Sequence, residues 1–184
     1  MAEKYCAFLR GVNVNGINIK MDVLKAAFID MGFQNVKTIL ATGNVIFSDV
    51  KEHNPGQDIK ATIENALSSH FGYDAHIFIR SNTQIQAILC AARTITVPDK
   101  CHHYCLLCDD TRLPLELKEL FDSMPHMPQE QFIAHEVGAF WIVPKGSTLS
   151  SDFGAKILGS KKYKSLLTSR NINTMEKIYK AMMD

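Results

Sequence analysis

The loop that follows the first apolar run of the sequence combines residue types that could bind an anion. Between Arg10 and Asn18 the chain contains two glycines and three asparagines. Both residue types tolerate positive φ angles, so successive backbone N–H groups can point at one anion and form a nest. The alternative is that these residues only form turns, since the segment lacks the full dinucleotide-binding or Walker spacing. The candidate ligand residues of this loop and its flank are Arg10, Asn13, Asn15 and Lys20.

A second polar segment, residues 168–174, precedes a helical pattern near the end of the sequence. Asn173 and Glu176 have the spacing of a capping box, which predicts that Asn173 caps this helix. Arg170, in the preceding loop, would lie near a helix N-terminus, where backbone N–H groups favour anions. An arginine that is only solvated is the alternative. The candidate ligand residues of this segment are Arg170, Asn171 and Asn173.

The segment Cys101–Cys108 resembles a set of metal ligands by residue type, because it contains three cysteines and two histidines. On a strand, alternate residues point to opposite faces, which separates Cys105 from Cys108 and prevents the ligands from converging. We therefore predict no metal site and no cofactor. The sequence also lacks the G-x-S-x-G and H-E-x-x-H motifs. Whether the protein is an enzyme stays open at this point.

Charge is distributed unevenly along the chain. The whole sequence has 20 basic and 19 acidic residues, but residues 154–184 contain seven Lys or Arg and only two Asp or Glu. Such a basic segment can mark a nucleic-acid face, although surplus charge on a helical terminus is usually only solvated. Binding of RNA or single-stranded DNA around residues 161–164 is therefore an alternative function and not the favoured one.

The composition is that of an ordinary globular protein, with 46% hydrophobic and 21% charged residues in a chain of 184. Apolar runs are only a few residues long, whereas a membrane-spanning helix needs about 20, so no membrane partner is expected. The first residues lack a secretory h-region, and the odd number of five cysteines favours reduced thiols. We expect a cytoplasmic protein, and the oligomeric state stays open.

The apolar pattern predicts the elements that position these loops. Residues 5–9 have the pattern of a buried strand. Apolar residues at helical spacing between Leu24 and Met31 predict a helix that ends at Gly32. Two β-rich runs, residues 35–40 and 44–47, flank a short glycine-containing segment and predict a hairpin.

A second helix and a further strand complete the first half. Residues 54–57 read Asn-Pro-Gly-Gln, which predicts a helix N-terminus, and the apolar ridge that follows is ended by Gly72. Residues 75–80 alternate between apolar and polar, as a half-buried strand does. The resulting order, β-α-β-β-α-β, is the ferredoxin-like pattern.

The second half repeats part of this order. A helix opened by Ser81 leads to a boundary after residue 97, so the predicted domains are residues 1–97 and 98–184. A strand, a helix and a hairpin follow, but from Gly154 onward the pattern predicts helices instead of a final strand. The predicted fold class is α+β with two ferredoxin-like halves, the second ending in helices. The duplication is one of element order, without a clear residue-level repeat.

Motifs distributed along the chain together resemble a known family. They are Phe8-Leu-Arg10-Gly-Val-Asn-Val-Asn-Gly16, Lys20-Met21, Thr42-Gly-Asn44-Val-Ile-Phe47 and Thr168-Ser-Arg170-Asn-Ile-Asn173-Thr174. In this order they resemble the bacterial domain of unknown function 1697 family, and the resemblance covers nearly the whole chain. It implies an α+β protein of two ferredoxin-like halves and carries no established activity.

The recurrent polar residues of that family fall in the loops already singled out. We therefore predict that Arg10, Asn13, Asn44, Arg170 and Asn173 approach one another in one polar cleft between the halves. This cleft would bind a small anionic or phosphorylated ligand. The remaining alternative is that the motifs are purely structural, in a protein-interaction module whose asparagines and arginines form buried hydrogen bonds.

Overall fold

The structure is a computed structural model that describes residues 3–12, 18–48 and 58–184. The chain forms two compact units. The first comprises Met1–Thr83 together with Lys177–Asp184, and the second comprises Gln84–Glu176. The sequence-based boundary between residues 97 and 98 stays a prediction.

The first unit has the predicted β-α-β-β-α-β order and a four-stranded antiparallel sheet. Its strands lie side by side in the order β2-β3-β1-β4. The elements are β1 (Lys4–Arg10), α1 (Met21–Asp30), β2 (Gln34–Thr38), β3 (Asn44–Ser48), α2 (Ile59–Phe71) and β4 (His76–Ser81).

One face of this sheet packs against α1 and α2 to form a hydrophobic core. Leu24 and Phe28 of α1 and Ile63 and Leu67 of α2 are buried against the sheet. Full burial of such a side chain stabilises the fold by about 1.5–3 kcal/mol. Aromatic rings consolidate the centre, where the ring centroids of Phe28 and Phe47 are 5.6 Å apart. The helical spacing of apolar residues in the sequence therefore identified the core correctly.

Helix α2 begins at Ile59, because the Asp58 side chain accepts hydrogen bonds from the backbone N–H groups of Lys60 at 2.9 Å and Ala61 at 3.3 Å. The sequence placed this start earlier, at residues 54–57, which lie outside the described residues. The predicted end is confirmed, since Gly72 adopts a left-handed conformation with φ of +66°. Only glycine adopts this conformation without strain, so the helix stops there.

The second unit is also built on a four-stranded antiparallel sheet, in the order β6-β7-β5-β8. Its core packs Trp141, Phe153, Phe132 and Phe121 together. The remaining elements of the chain are α3 (Asn82–Arg93), β5 (Cys101–Cys108), α4 (Leu113–Asp122), β6 (Gln131–His135), β7 (Gly138–Pro144), α5 (Asp152–Gly159), β8 (Leu167–Asn171) and α6 (Ile172–Met183).

Strand β8 corrects the sequence-based prediction that the second half lacks a final strand. Residues Leu167–Asn171 pair with β5 along their whole length, so the second half has the complete β-α-β-β-α-β order before it ends in α6. The strand escaped prediction because its sequence, Leu-Thr-Ser-Arg-Asn, contains one apolar residue and no alternation. Backbone pairing with β5 holds it in the sheet.

The end of α6 belongs to the first unit, although it is distant in sequence from the other elements there. The Lys4 side chain of β1 donates a 2.6 Å hydrogen bond from Nζ to the carbonyl oxygen of Met182. Ile178 and Met182 on this helix are buried. Residues from both ends of the described chain therefore complete one unit.

Candidate functional site

Arg10 lies at the end of β1, directly opposite His76 of β4. Cross-strand partners point to the same face of a sheet, so both side chains lie on one face at one end of it. The Arg10 side chain is half-buried, and this burial lowers the pKa of its guanidinium group. His76 Nε2 is 2.9 Å from Asp74 Oδ2, which fixes the orientation of the imidazole ring. This end of the sheet therefore places a partly desolvated cation beside an oriented histidine.

Two turns meet β1 close to Arg10. The Leu9 N–H group donates a 2.8 Å hydrogen bond to the carbonyl oxygen of Gly43, in the turn between β2 and β3. Gly43 has φ of +70°, and a Cβ atom there would lie only 2.9 Å from the Leu9 Cβ atom. Glycine is therefore required at residue 43 for the turn to approach β1. Gly11, immediately after Arg10, also has a positive φ of +75°.

Asn44 is fully buried at the start of β3, and its amide group stabilises the preceding turn. Its Nδ2 atom donates hydrogen bonds to the carbonyl oxygen of Ile39 at 2.8 Å and to Thr42 Oγ1 at 2.9 Å. The backbone of Asn44 also accepts a 2.9 Å bond from the Ile39 N–H group. These contacts give Asn44 a structural role, while its predicted role as a ligand residue stays a prediction.

Lys20 is exposed at the N-cap position of α1, and its side chain makes no capping hydrogen bond. It lies at the positive end of the helix dipole, which favours negatively charged groups. Asn13 and Asn15, the other predicted ligand residues of this loop, lie outside the described residues.

Arg170 is buried on β8, with only 8% of its surface exposed, so its predicted position in a surface loop is wrong. Its Nη1 atom donates hydrogen bonds to Thr168 Oγ1 at 3.0 Å and to the carbonyl oxygen of Ser169 at 2.8 Å. The cap of α6 is also corrected. Asn171 Oδ1 accepts a 3.0 Å bond from the Asn173 N–H group, so the capping side chain is that of Asn171 and not that of Asn173.

The predicted site residues are divided between the two units. Arg10, Lys20 and Asn44 belong to the first unit, whereas Arg170, Asn171 and Asn173 belong to the second. The structure brings Arg10 and Asn44 onto the same face of the first sheet, because Phe8, two residues before Arg10, is the register partner of Asn44. The single cleft shared by all of these residues stays a prediction.

A residue-level repeat, which sequence reasoning missed, relates the two sheets. Cys6 of β1 lies opposite Arg80 of β4, and Cys105 of β5 lies opposite Arg170 of β8. The Nη1 atom of each arginine donates to the carbonyl oxygen of the residue before it, at 2.7 Å in Arg80 and 2.8 Å in Arg170. The signal was present in the sequence, because each of these cysteines follows a tyrosine, Tyr5 or Tyr104.

The repeat shows that Arg80 and Arg170 have equivalent structural roles, which Arg10 does not share. The same local bond in Arg80 and Arg170 indicates that it belongs to the fold, since each arginine is the last residue but one of an edge strand that leads into a helix. Tyr104 corresponds to Tyr5, and therefore Asp109 occupies the position equivalent to Arg10. A cation in one unit thus corresponds to an acidic residue in the other, so Arg10 is not required by the shared framework.

The cysteine and histidine residues of β5 alternate between the two faces of their sheet. Within the described part of the chain, no group of three or more His, Cys, Asp or Glu residues could hold a metal ion. His103 has a buried Nε2 atom without a hydrogen-bond partner among the described residues, and burial lowers the pKa of its imidazole. In the described ranges, no helix combines the length and the apolar character that crossing a membrane requires.

The fold defines an α+β protein with two four-stranded sheets, each flanked by helices in a ferredoxin-like arrangement. A family model described as protein of unknown function (DUF1697) matches residues 2–137, and the chain belongs to this family. No curated protein matches the chain. A conserved bacterial protein, SP0830 from Streptococcus pneumoniae, has a similar solved structure with a TM-score of 0.70 at 19% identity over 100% of both chains. This similarity shows the fold alone.

Proposed function

We propose that the first unit binds a small anionic or phosphorylated ligand at the end of its sheet, with Arg10 as the main contact. The observation that carries this proposal is the departure of Arg10 from the repeat, where Asp109 occupies the equivalent position. The repeated local hydrogen bond accounts for Arg80 and Arg170 structurally, whereas residue 10 has no counterpart of the same charge in the second unit. Arginine suits an anion site because its planar guanidinium group matches the geometry of phosphates and carboxylates.

The surroundings of Arg10 suit such a ligand. A guanidinium group can donate two parallel hydrogen bonds to a phosphate, and His76 on the same face can donate another. The positive φ of Gly11 is compatible with a turn whose N–H groups point at one anion. The proposal concerns binding and leaves open whether a reaction follows.

A thermal-shift screen of inorganic phosphate, nucleotides and sugar phosphates tests the proposal. A ligand at 100 times its Kd adds about 2.7 kcal/mol to the free energy of unfolding, which raises Tm by roughly 5–10 °C in a protein of this size. We expect the shift to be lost in Arg10→Ala and reduced in Arg10→Lys, which keeps the charge but not the planar group. The exposed Arg93 of α3 provides the matched control, Arg93→Ala. An equal shift in wild type and Arg10→Ala would exclude Arg10 as the anchor.

Binding of RNA or single-stranded DNA is a second candidate, favoured by one feature of the second unit. Lys161 and Lys162 are exposed on a short helical turn, and neither forms an ion pair within the described ranges. The Lys162 Nζ atom lies 5.1 Å from the ring centroid of Tyr163. This function predicts an affinity that weakens steeply with salt and falls in the double variant Lys161→Ala, Lys162→Ala. A filter-binding titration without salt-sensitive affinity would exclude it.

The structural alternative applies best to Asn44 and Arg170. Both side chains are buried and donate hydrogen bonds within their own units. Substitution of either residue is therefore expected to lower stability whether or not a ligand is present. A ligand-induced shift that is lost only in the Arg10 variants distinguishes the binding function from this structural role.

A further inference from the structure

The second unit contains a pocket of about 160 Å³ that none of the predicted motifs involves. It lies where the segment before β6 meets the start of α5, and its lining includes His126, Glu130, Ser151 and Asp152. Since one water molecule occupies about 30 Å³ in the liquid, the pocket has room for a ligand with only a few non-hydrogen atoms.

Glu130 gives this pocket its chemical character. Only 4% of its surface is exposed, and its two carboxylate oxygens accept one hydrogen bond each. The Trp141 indole Nε1 donates to Oε1 at 3.0 Å, and the Met127 backbone N–H donates to Oε2 at 3.2 Å. Both donors are neutral, and no Lys, Arg or His side chain pairs with Glu130 in the part of the chain that the structure describes.

A buried carboxylate without a counter-ion is costly, because its desolvation is repaid only by a paired cation or by several hydrogen bonds. An ionised carboxylate has about four lone-pair sites, and Glu130 uses two of them on protein donors. The remaining sites can accept hydrogen bonds from a group that enters the pocket. The ligand that best compensates this arrangement carries a positive charge and N–H donors.

The rest of the lining agrees with a cationic ligand. Asp152 is exposed at the first position of α5 and adds a second carboxylate, which also offsets the positive end of the helix dipole. His126 also lines the pocket, and its ring stacks on Phe121 with the ring centroids 4.6 Å apart and an interplanar angle of 14°. Among the described residues that line the pocket there is no Lys or Arg. Such a negative concave surface attracts cations.

We propose that this pocket binds a small organic cation with a primary ammonium group, for which Glu130 is the buried counter-ion. An organic cation is favoured over a metal ion, because no metal-binding group of three ligands exists within the described ranges. The proposal does not depend on the anion site, which lies in the other unit and takes ligands of the opposite charge.

Gly154 of α5 packs closely against Ser151, which lines the pocket. A Cβ atom at this residue would overlap the carbonyl oxygen of Thr148, and it would lie 2.7 Å from Trp141 Cη2 and 2.8 Å from Ser151 Oγ. Ser151 Oγ in turn accepts a 2.9 Å hydrogen bond from the Gly154 N–H group. The pocket and the indole that contacts Glu130 are therefore parts of one packed assembly.

Trp141 makes the proposal directly testable, because it is the only tryptophan of the chain and its indole N–H group contacts Glu130. We expect ethanolamine and methylammonium, at constant ionic strength, to change the Trp141 emission in a saturable way. Ethylene glycol, which matches ethanolamine in size but has no charge, should give no such change. Magnesium and calcium chloride are titrated in parallel, and a stronger saturable response to either metal than to the amines would overturn the proposal.

Variants locate the binding event. Glu130→Gln keeps the shape of the side chain and should weaken ethanolamine binding at least tenfold, whereas Glu136→Gln removes an exposed carboxylate of the same unit and should leave binding unchanged. If circular dichroism shows that Glu130→Gln does not fold, Asp152→Asn replaces it, with an expected two- to fivefold loss. No saturable signal, an equal response to ethylene glycol, or unchanged affinity in the variant that folds would overturn the proposal.

Discussion

Replacement of Asn44 by alanine should destabilise the first unit strongly, because its buried amide group holds the turn before β3. The change removes two hydrogen bonds, at 2.8 Å to the Ile39 carbonyl oxygen and at 2.9 Å to Thr42 Oγ1. Each bond contributes about 1 kcal/mol net, and a buried polar group left without a partner costs a further 1–3 kcal/mol or so. We therefore expect a loss of about 3–5 kcal/mol in the free energy of unfolding, or a fall in Tm of roughly 6–20 °C.

Thermal and urea denaturation followed by circular dichroism measure this loss. Asn65→Ala is the matched control, because Asn65 is exposed on α2 and alanine there is expected to have no effect or a slightly stabilising one. Asn44→Asp is a stricter variant, since it keeps the shape of the side chain but replaces the donating amide with an acceptor. If Asn44→Ala stays within about 0.5 kcal/mol of wild type, the range of an ordinary surface substitution, the structural role assigned to Asn44 is refuted.

Three further predictions follow from the packing and the pKa shifts. Gly154→Ala should destabilise the second unit by more than about 2 kcal/mol in denaturation experiments, because the added Cβ atom would overlap the Thr148 carbonyl oxygen. Gly159→Ala is the control, because a Cβ atom there has no neighbouring atom within 4 Å. Burial raises the pKa of Tyr73 to about 12, whereas the tyrosine of the unfolded chain loses its proton near pH 10. The free energy of unfolding should therefore fall as the pH rises from about 10 to about 12, and Tyr73→Phe should remove this fall. Burial lowers the pKa of His103, so the unfolded state binds the proton first and the free energy of unfolding should fall as the pH drops below about 6.5. If the free energy of unfolding of His103→Gln depends on pH as strongly as that of wild type, His103 is not the cause of this fall.

The sequence predicted most of the fold because most elements have a clear apolar period. In the first unit, apolar residues of α1 at helical spacing matched the buried face of that helix. Strand β8 was missed for the opposite reason, since Thr168 and Arg170 are buried through hydrogen bonds that no hydropathy pattern reveals. The same misassignment placed the helix cap at Asn173 instead of Asn171.

The candidate sites show a similar division. Arg10 was identified from its loop, because glycine and asparagine indicate unusual backbone conformations directly in the sequence. His76 was not identified, since its position opposite Arg10 depends on the register between β1 and β4. Glu130 was also missed, because nothing in its neighbours along the chain predicts that its carboxylate contacts Trp141. Long-range contacts of single polar residues require the folded structure.

The hydrogen bond between Lys4 and Met182 has a consequence for how the protein is made. Its two partners are 178 residues apart, and at about 5–20 residues per second a ribosome synthesises them roughly 10–40 s apart. Residues 84–176, in contrast, are contiguous and can collapse as soon as they leave the exit tunnel. The amino-terminal part of the first unit therefore waits until residues 177–184 are translated, so the unit that is begun first is completed after the other.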